Sequence, residues 1–318
     1  MSRQKYISII IPMYNEALVL PEFQIQLTRQ LDKLKKYVFQ IICIDDGSFD
    51  NTAEILILWA KKEKRLLVIE LSRNFGKEAA MTCGLSYANG DAVIIIDADF
   101  QDPLSLIKEL IQKWISTNAE IILAKRSDRK TDSYFKRISA LFFYRIVNLI
   151  SPVQIPINVG DTRLISKKVV IAINKLPEKR RFMKGLMSWV GYKTDYVSYV
   201  RANRRNGVSK FPFWKLWNFA LDGIVGHSSI LIRMWIYIGL TGLFLAFVLA
   251  LRVLYLYSVG ENEAPGYPSL MIVILFFGSI QLFCLGIFGE YISRIYQEVQ
   301  QRPIYLIKKM HGSYVSKT

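Results

Sequence analysis

With 318 residues the chain can hold two ordinary domains. Its three cysteines (Cys43, Cys83 and Cys284, far apart and without a CxxC) and two histidines exclude a disulfide scaffold and a Cys/His zinc centre, and they fit a reducing compartment. The net charge of +16 divides into +13 over residues 1–228, −1 over 229–290 and +4 over 291–318; basic flanks around a charge-poor apolar block exclude a nucleic-acid binder and point to a membrane protein.

Met1 to Lys5 run directly into the β-branched Tyr6–Ile11, so a strand and no signal peptide is expected at the start. It ends at Pro12-Met13-Tyr14-Asn15-Glu16. Pro21 to Lys36 has helical spacing, with Phe23, Leu27, Leu31 and Leu34 on one stripe. Val38–Ile44 reads as a second strand ending in Asp45-Asp46-Gly47-Ser48, and Ser48, Asp50 or Asn51 can cap a helix reaching Lys62. A third strand, Leu66–Leu71, ends in Ser72-Arg73-Asn74-Phe75-Gly76-Lys77-Glu78, with a helix over Ala79–Ala88.

Val93 to Ile96 is too short for a helix and too apolar for an edge, which predicts a buried central strand. At its carboxyl end the composition turns to Asp97, Asp99 and Asp102, with Pro103 opening a helix through Thr117. Residues two apart on an extended chain point the same way, so Asp97 and Asp99 can converge beyond the strand. Paired hard oxygen ligands suit Mg²⁺ or Mn²⁺ carrying a phosphate-bearing substrate; the alternative is a solvated acidic turn. Glu120–Ala124 is a fifth strand.

Strands alternating with helices predict an α/β fold with a doubly wound, mostly parallel sheet. Its ligands bind beyond the carboxyl ends of the strands. Asp45, Asp46, Arg73, Lys77, Asp97, Asp99 and Arg126 are therefore expected around one crevice. Neither a GxGxxG after the first strand nor Walker spacing at Gly76-Lys77 is present.

Ser133–Ile150 is a basic, aromatic amphipathic helix, suited to a core or to the bilayer surface. Gly160-Asp161-Thr162-Arg163-Leu164 sets an acid beside a base between apolar segments, as a structural ion pair or a functional one. Arg201, Arg204, Arg205, Lys210 and Lys215 fall within fifteen residues with no acid among them; such a run is a solvated face or, through the Arg fork, a phosphate site. Phe211 to Val225 carries a Trp/Phe stripe suited to the interface plane.

Met234 to Leu251 and Pro268 to Gly289 are free of charge over 18 and 22 residues, close to the roughly 20 needed to span about 30 Å of hydrocarbon. The loop between them has Glu261 and Glu263 and no Lys or Arg, so both termini are expected in the cytoplasm. The expected organisation is a catalytic domain over 1–210, an interfacial helix over 211–228, a two-helix transmembrane hairpin over 229–290 and a basic cytoplasmic tail over 291–318.

Taken together, Ile9 to Glu16, Asp45 to Ser48, Ser72 to Lys77 and Asp97 to Pro103 resemble the family-2 inverting glycosyltransferases of GT-A fold. More narrowly the chain is similar to the polyprenyl-phosphate glycosyltransferases, which include dolichyl-phosphate mannose synthase and the bactoprenol glucosyltransferases of the GtrB type. The resemblance extends through both apolar spans. It implies nucleotide contacts at Pro12, Tyr14, Glu16 and Asp46 and a metal and diphosphate motif at Asp97, Asp99 and Gln101; Arg73 and Lys77, from their place at the crevice, and Arg163 are expected to bind substrate as well. It implies an acid near sugar and acceptor at Asp161 beside Arg163, and phosphate-binding positions at Arg126, Arg201, Arg204 and Lys210. Phe100 stands where Leu is common and Leu104-Ser105 where Pro-Glu is common; neither removes a ligand. The QxxRW of the processive synthases is not found, which favours single transfer.

The implied reaction moves one hexose, glucose from UDP-glucose within the bactoprenol subgroup, to the phosphate of undecaprenyl phosphate in the inner membrane. The implied cofactor is Mg²⁺ or Mn²⁺, the partners are the membrane and a further copy of the chain, and Asp99 and Asp161 carry the chemistry, Asp161 as base or orienter. GDP-mannose and UDP-N-acetylglucosamine are the competing donors. A non-catalytic protein that binds or helps translocate a lipid-linked sugar is the rival class.

Overall fold

A computed structural model describes residues 4–127, 159–179, 181–200 and 266–312, together with isolated helical positions between 239 and 259. The first half alternates β1 (Tyr6–Met13), α1 (Leu20–Asp32), β2 (Val38–Asp45), α2 (Thr52–Lys62), β3 (Leu66–Leu71), α3 (Lys77–Tyr87), β4 (Ala92–Ile95), α4 (Leu106–Thr117) and β5 (Ile121–Arg126). Then follow β6 (Val159–Ser166), α5 (Lys167–Lys175), α6 (Met183–Trp189), β7 (Thr194–Tyr199), α7 (Tyr267–Val299) and β8 (Ile307–Gly312).

The strands form one sheet in the order β7-β5-β6-β4-β1-β2-β3-β8. β1 pairs in parallel with β2 and β4, β2 with β3, and β5 with β7; β6 runs antiparallel to β4 and β5, and β8 antiparallel to β3. The predicted doubly wound, mostly parallel sheet is what the chain adopts. Its central strands are apolar on both faces because helices cover both. Ile7, Ile9, Ile11 and Ile41 face Phe23 and Leu27 of α1, Leu56 and Trp59 of α2 and Leu110 of α4. Ile10, Ile42, Ile44 and Ile69 face Ala80, Met81 and Cys83 of α3, Val169 of α5 and Leu186 of α6. Small residues let α3 press onto the sheet: a Cβ on Gly84 would lie 2.5 Å from Ile10 Cγ2.

The sheet unit takes in the described residues up to 200 and those from 302 to 312; α7 belongs to a second compact unit. α7 has 33 residues, and its Phe276–Val299 segment is apolar and unburied. It is the one helix among the described residues long and apolar enough to cross a membrane. The expected span over Pro268 to Gly289 lies inside it. The earlier span, Met234 to Leu251, lies largely outside the described residues, and the two interfacial segments, 133–150 and 211–228, lie outside them.

The basic tail contributes an element that its sequence did not announce. β8 closes the β3 edge, where His311 Nε2 meets the buried Glu70 carboxylate at 2.7 Å and Lys308 Nζ lies 3.4 Å from the same group. Lysines along a sheet edge resist further strand addition.

Candidate active site

Parallel β1, β2, β3 and β4 deliver their carboxyl ends to one edge, and the loops there are laced through backbone groups. Asn15 N–H donates to Ser48 Oγ at 2.9 Å and Phe49 N–H to Asn15 Oδ1 at 2.9 Å. Glu16 N–H donates to Thr52 Oγ1 at 2.9 Å and Ala17 N–H to Asp50 Oδ2 at 3.1 Å. Gly47 has φ +68°, and a Cβ there would sit 2.4 Å from the Arg73 carbonyl carbon, so only glycine lets the β2 and β3 loops meet.

Asp46, expected at the nucleotide, is buried with both oxygens engaged by the β3–α3 loop, accepting from Phe75 N–H at 2.8 Å and Gly76 N–H at 2.9 Å. Burial pushes its carboxyl up, against the pull of those two N–H groups. Pro12 pairs with Ile44 inside the sheet. Beyond it, Tyr14 stands edge-on to Phe49 with ring centroids 6.3 Å apart, and Phe49 is 87% exposed. The exposed Arg73 lays its guanidinium 4.2 Å from the Phe75 ring.

The β4–β6 side carries the charge. β6 runs antiparallel, so its first residues reach the edge where β4 ends; two positions beyond the Ile95–Arg163 pair, in each chain direction, stand Asp97 and Asp161. Lys77, the first residue of α3, joins them: Nζ donates to Asp97 Oδ2 at 2.7 Å and to Asp161 Oδ2 at 2.6 Å. Lys184 of α6 approaches Asp161 Oδ1 at 3.1 Å.

Arg163, expected to contact substrate, is 2% exposed. Its guanidinium donates to the Asp161 carbonyl at 2.8 Å and the Gly160 carbonyl at 3.3 Å and lies 3.5 Å from Asp161 Oδ1, so it braces Asp161 from behind. Glu78 accepts from Met183 N–H at 2.9 Å, which registers α6 against α3 and hence Lys184 against Lys77.

The two acids respond in opposite directions. Burial would raise the Asp161 carboxyl, but Lys77, Lys184 and Arg163 outweigh it and hold the group well below the usual carboxylate range. Burial lifts the Asp97 carboxyl; Lys77 opposes this, Asp161 and Asp99 reinforce it, and the net direction is up. Lys77 itself is raised: burial lowers it, and Asp97 and Asp161 more than compensate.

Asp99 accepts from Gln101 N–H at 3.1 Å around Phe100, whose φ of +57° turns the chain sharply while its ring packs on Phe23 at 5.6 Å. Asp102, the third acid of this stretch, turns inward: it accepts from Thr162 Oγ1 at 2.6 Å and from the Tyr199 hydroxyl, tying the β4–α4 loop to β6 and β7. A Cβ on Gly160 would lie 2.8 Å from that hydroxyl. Arg126 bonds to Tyr199 too, and its buried Nε has no acceptor among the described residues, a disposition that suits an incoming anion. Arg201, Arg204 and Lys210 lie outside the described residues.

Among the described residues no three His, Cys, Asp or Glu side chains form a metal cage. Asp97 and Asp99 nonetheless fit the way Mg²⁺-type ions are held, by one or two carboxylates with the remaining positions from water and substrate phosphate. Burial and the neighbouring Asp161 and Asp99 work against an ionised Asp97, which Lys77 offsets only in part; a further cation beside it would favour the ionised form. Lys184, Glu78, Thr162 and Tyr199 escaped the reading of the sequence. For Lys184 and Glu78 the available signal was type alone: a lysine within a basic region and a glutamate beside Lys77.

Residues 8–173 match Glycosyl transferase family 2. The chain is 48% identical over 305 residues to the SfII prophage-derived bactoprenol glucosyl transferase of Shigella flexneri, covering 96% of this chain and 98% of that protein. It is 46% identical over 304 residues to the prophage bactoprenol glucosyl transferase homolog of Escherichia coli K12, covering 96% and 99%. In fold it is similar to glucosyl-3-phosphoglycerate synthase from Mycobacterium tuberculosis, solved with Mn²⁺, UDP and phosphoglyceric acid. The TM-score there is 0.50 at 18% identity, over 69% of this chain and 76% of that one.

Proposed function

We propose a single hexosyl transfer for this chain, which belongs to glycosyl transferase family 2 and is an enzyme of the glycosyltransferase class. The donor is a nucleotide diphosphate sugar, UDP-glucose in this reading, and the acceptor is the phosphate of a membrane polyprenyl phosphate. The observation that carries the reading is the extent of the likeness. It runs through 305 residues and so takes in the apolar C-terminal segments along with the sheet, and the relatives that share all of this are named bactoprenol glucosyl transferases.

The charge cluster supports a phosphate acceptor. A carboxyl held as low as that of Asp161 is a poor proton acceptor near neutrality. A sugar or polyprenol hydroxyl would need a base; a phosphate monoester, with a second pKa near 6, is already mostly ionised. Asp161 then serves to orient Lys77 and Lys184, which face the two anionic reactants and offset their repulsion.

Asp97 and Asp99, with Gln101, would hold Mg²⁺ or Mn²⁺ against the donor diphosphate. Bound there, the ion supplies Lewis-acid stabilisation of the leaving group. In this reading Pro12, Tyr14, Glu16 and Asp46 serve the nucleotide, Arg73 lies beside them, and Arg126, with Arg201, Arg204 and Lys210 from outside the described residues, would bind phosphates. The apolar α7 supports a membrane location; in this reading the membrane is the inner one, both termini are cytoplasmic, and the chains associate as homo-oligomers.

The test is transfer by the full-length protein, with Mg²⁺ or Mn²⁺ and undecaprenyl phosphate, from UDP-glucose, GDP-mannose and UDP-N-acetylglucosamine in parallel. Glucose on the lipid, β-linked from the α-linked donor, is the expected product. Nucleotide-sugar binding without transfer to the lipid from any donor would leave a non-catalytic binder instead.

A further inference from the structure

Lys77 Nζ bridges two carboxylates from separate segments, Asp97 just past β4 at 2.7 Å and Asp161 of β6 at 2.6 Å. The backbone beneath it is fixed: Gly76, just before it, is held through its N–H by Asp46, and α3 is packed tightly on β1 at Gly84. The side chain is a flexible four-carbon stem and is 39% exposed. The ammonium can therefore leave its partners without disturbing the helix that carries it.

Resting on the reading of Asp97 as a metal ligand, we propose that Lys77 is the built-in counter-cation of Asp97, displaced from it when a divalent ion binds together with the donor diphosphate. A dication arriving at Asp97 would meet the ammonium already there, at a separation where like charges repel strongly. Withdrawal of Lys77 from Asp97 removes that repulsion, and the diphosphate offers the ammonium a new anion within reach of Asp161. Metal and nucleotide then bind cooperatively, each weakly alone, and by linkage each strengthens the other by the same factor. Lys184 is the internal control: it touches Asp161 from the opposite oxygen and also donates to the Val159 carbonyl, at 3.3 Å.

The experiment is Mn²⁺ binding to the full-length protein followed by electron paramagnetic resonance, with and without uridine diphosphate. Wild type is expected to bind Mn²⁺ weakly alone and tightly with the nucleotide. Lys77→Met should tighten binding of Mn²⁺ alone about tenfold or more, whereas Lys184→Met should change it by less than about threefold, because Lys184 pairs with Asp161 and Lys77 with Asp97 itself. Lys77→Gln, which keeps an N–H donor between the acids, should behave like Lys77→Met and serves if the latter does not fold. Unchanged or weaker Mn²⁺ binding in the Lys77 variants, or equal tightening by Lys184→Met, would overturn the displacement. No Mn²⁺ uptake by wild type even with uridine diphosphate would instead overturn the metal reading beneath it, and this inference with it.

Discussion

On the β1–β2–β3 side of the crevice, polar side chains bind backbone: Asn15, Ser48, Asp50, Thr52 and Asp46 all accept main-chain N–H groups from neighbouring loops. On the β4–β6 side, Lys77, Asp97, Asp161 and Lys184 pair with one another, and Arg163 braces Asp161 mainly through backbone carbonyls. The first arrangement fixes a shape, because moving any one group strands a backbone donor. The second stores charge that can be repartitioned when anionic reactants arrive. Substitutions on the charged side should therefore cost turnover, and those on the laced side should cost stability first.

The largest effect is expected at the metal residues. Asp97→Ala and Asp99→Ala should each lower transfer about 10³-fold, the several kcal/mol that Lewis-acid stabilisation supplies, with little change in the thermal midpoint. Near-normal transfer in Mn²⁺ would remove them from the chemistry. Asp161→Asn should cost about 10²-fold, as loss of a preorganised electrostatic group does.

That variant also sharpens the pH argument. A carboxyl held below the usual range stays ionised from weakly acid to alkaline pH, so Asp161 does not set the acid limb of kcat/KM. The limb should sit near pH 6 with the acceptor phosphate and stay there in Asp161→Asn. A limb that moves or disappears would make Asp161 the titrating base.

On the laced side, Asp46→Ala leaves the Phe75 and Gly76 N–H groups without their acceptor, at about 1–3 kcal/mol each. Denaturant unfolding should show that loss together with a raised KM for the nucleotide sugar. Gly47→Ala should cost about 1–3 kcal/mol through its positive φ alone, more if the Arg73 backbone cannot yield. The smallest effect on transfer is expected at the far edge, where His311→Ala removes one partner of the buried Glu70 carboxylate, at about 1–3 kcal/mol of stability, and should leave turnover unchanged. A large loss of transfer there would mean that β8 does more than close the sheet.

The legible parts were those that short-range pattern determines. Five β-branched strands ending in polar clusters and separated by amphipathic helices announce a parallel sheet, and the observed β1 to β5 and α1 to α4 follow those stretches. β6, β7 and β8 carried no such signal. β6 is antiparallel and its partners β4 and β5 come from earlier in the chain, while β8 pairs with β3 across 241 residues between Glu70 and His311.

Within the site, residue types were legible and orientations were not. Asp97 and Asp161 were singled out from separate segments, but Lys77 bridging them follows from the antiparallel register of β6 and the packing of α3. Asp102 shares a stretch with Asp97 and Asp99 yet faces Thr162 and Tyr199. Arg163 was readable as a structural ion pair or as a functional residue, and its burial behind its own strand, which spacing cannot show, makes it a brace for Asp161.

The most direct measurement compares two acceptors that differ by one group: undecaprenyl phosphate and undecaprenol, offered to the full-length protein with UDP-glucose and Mn²⁺. A site whose central carboxylate is too weak a base to activate a hydroxyl should glycosylate the phosphate and leave the alcohol untouched. Comparable transfer to the alcohol would contradict the account.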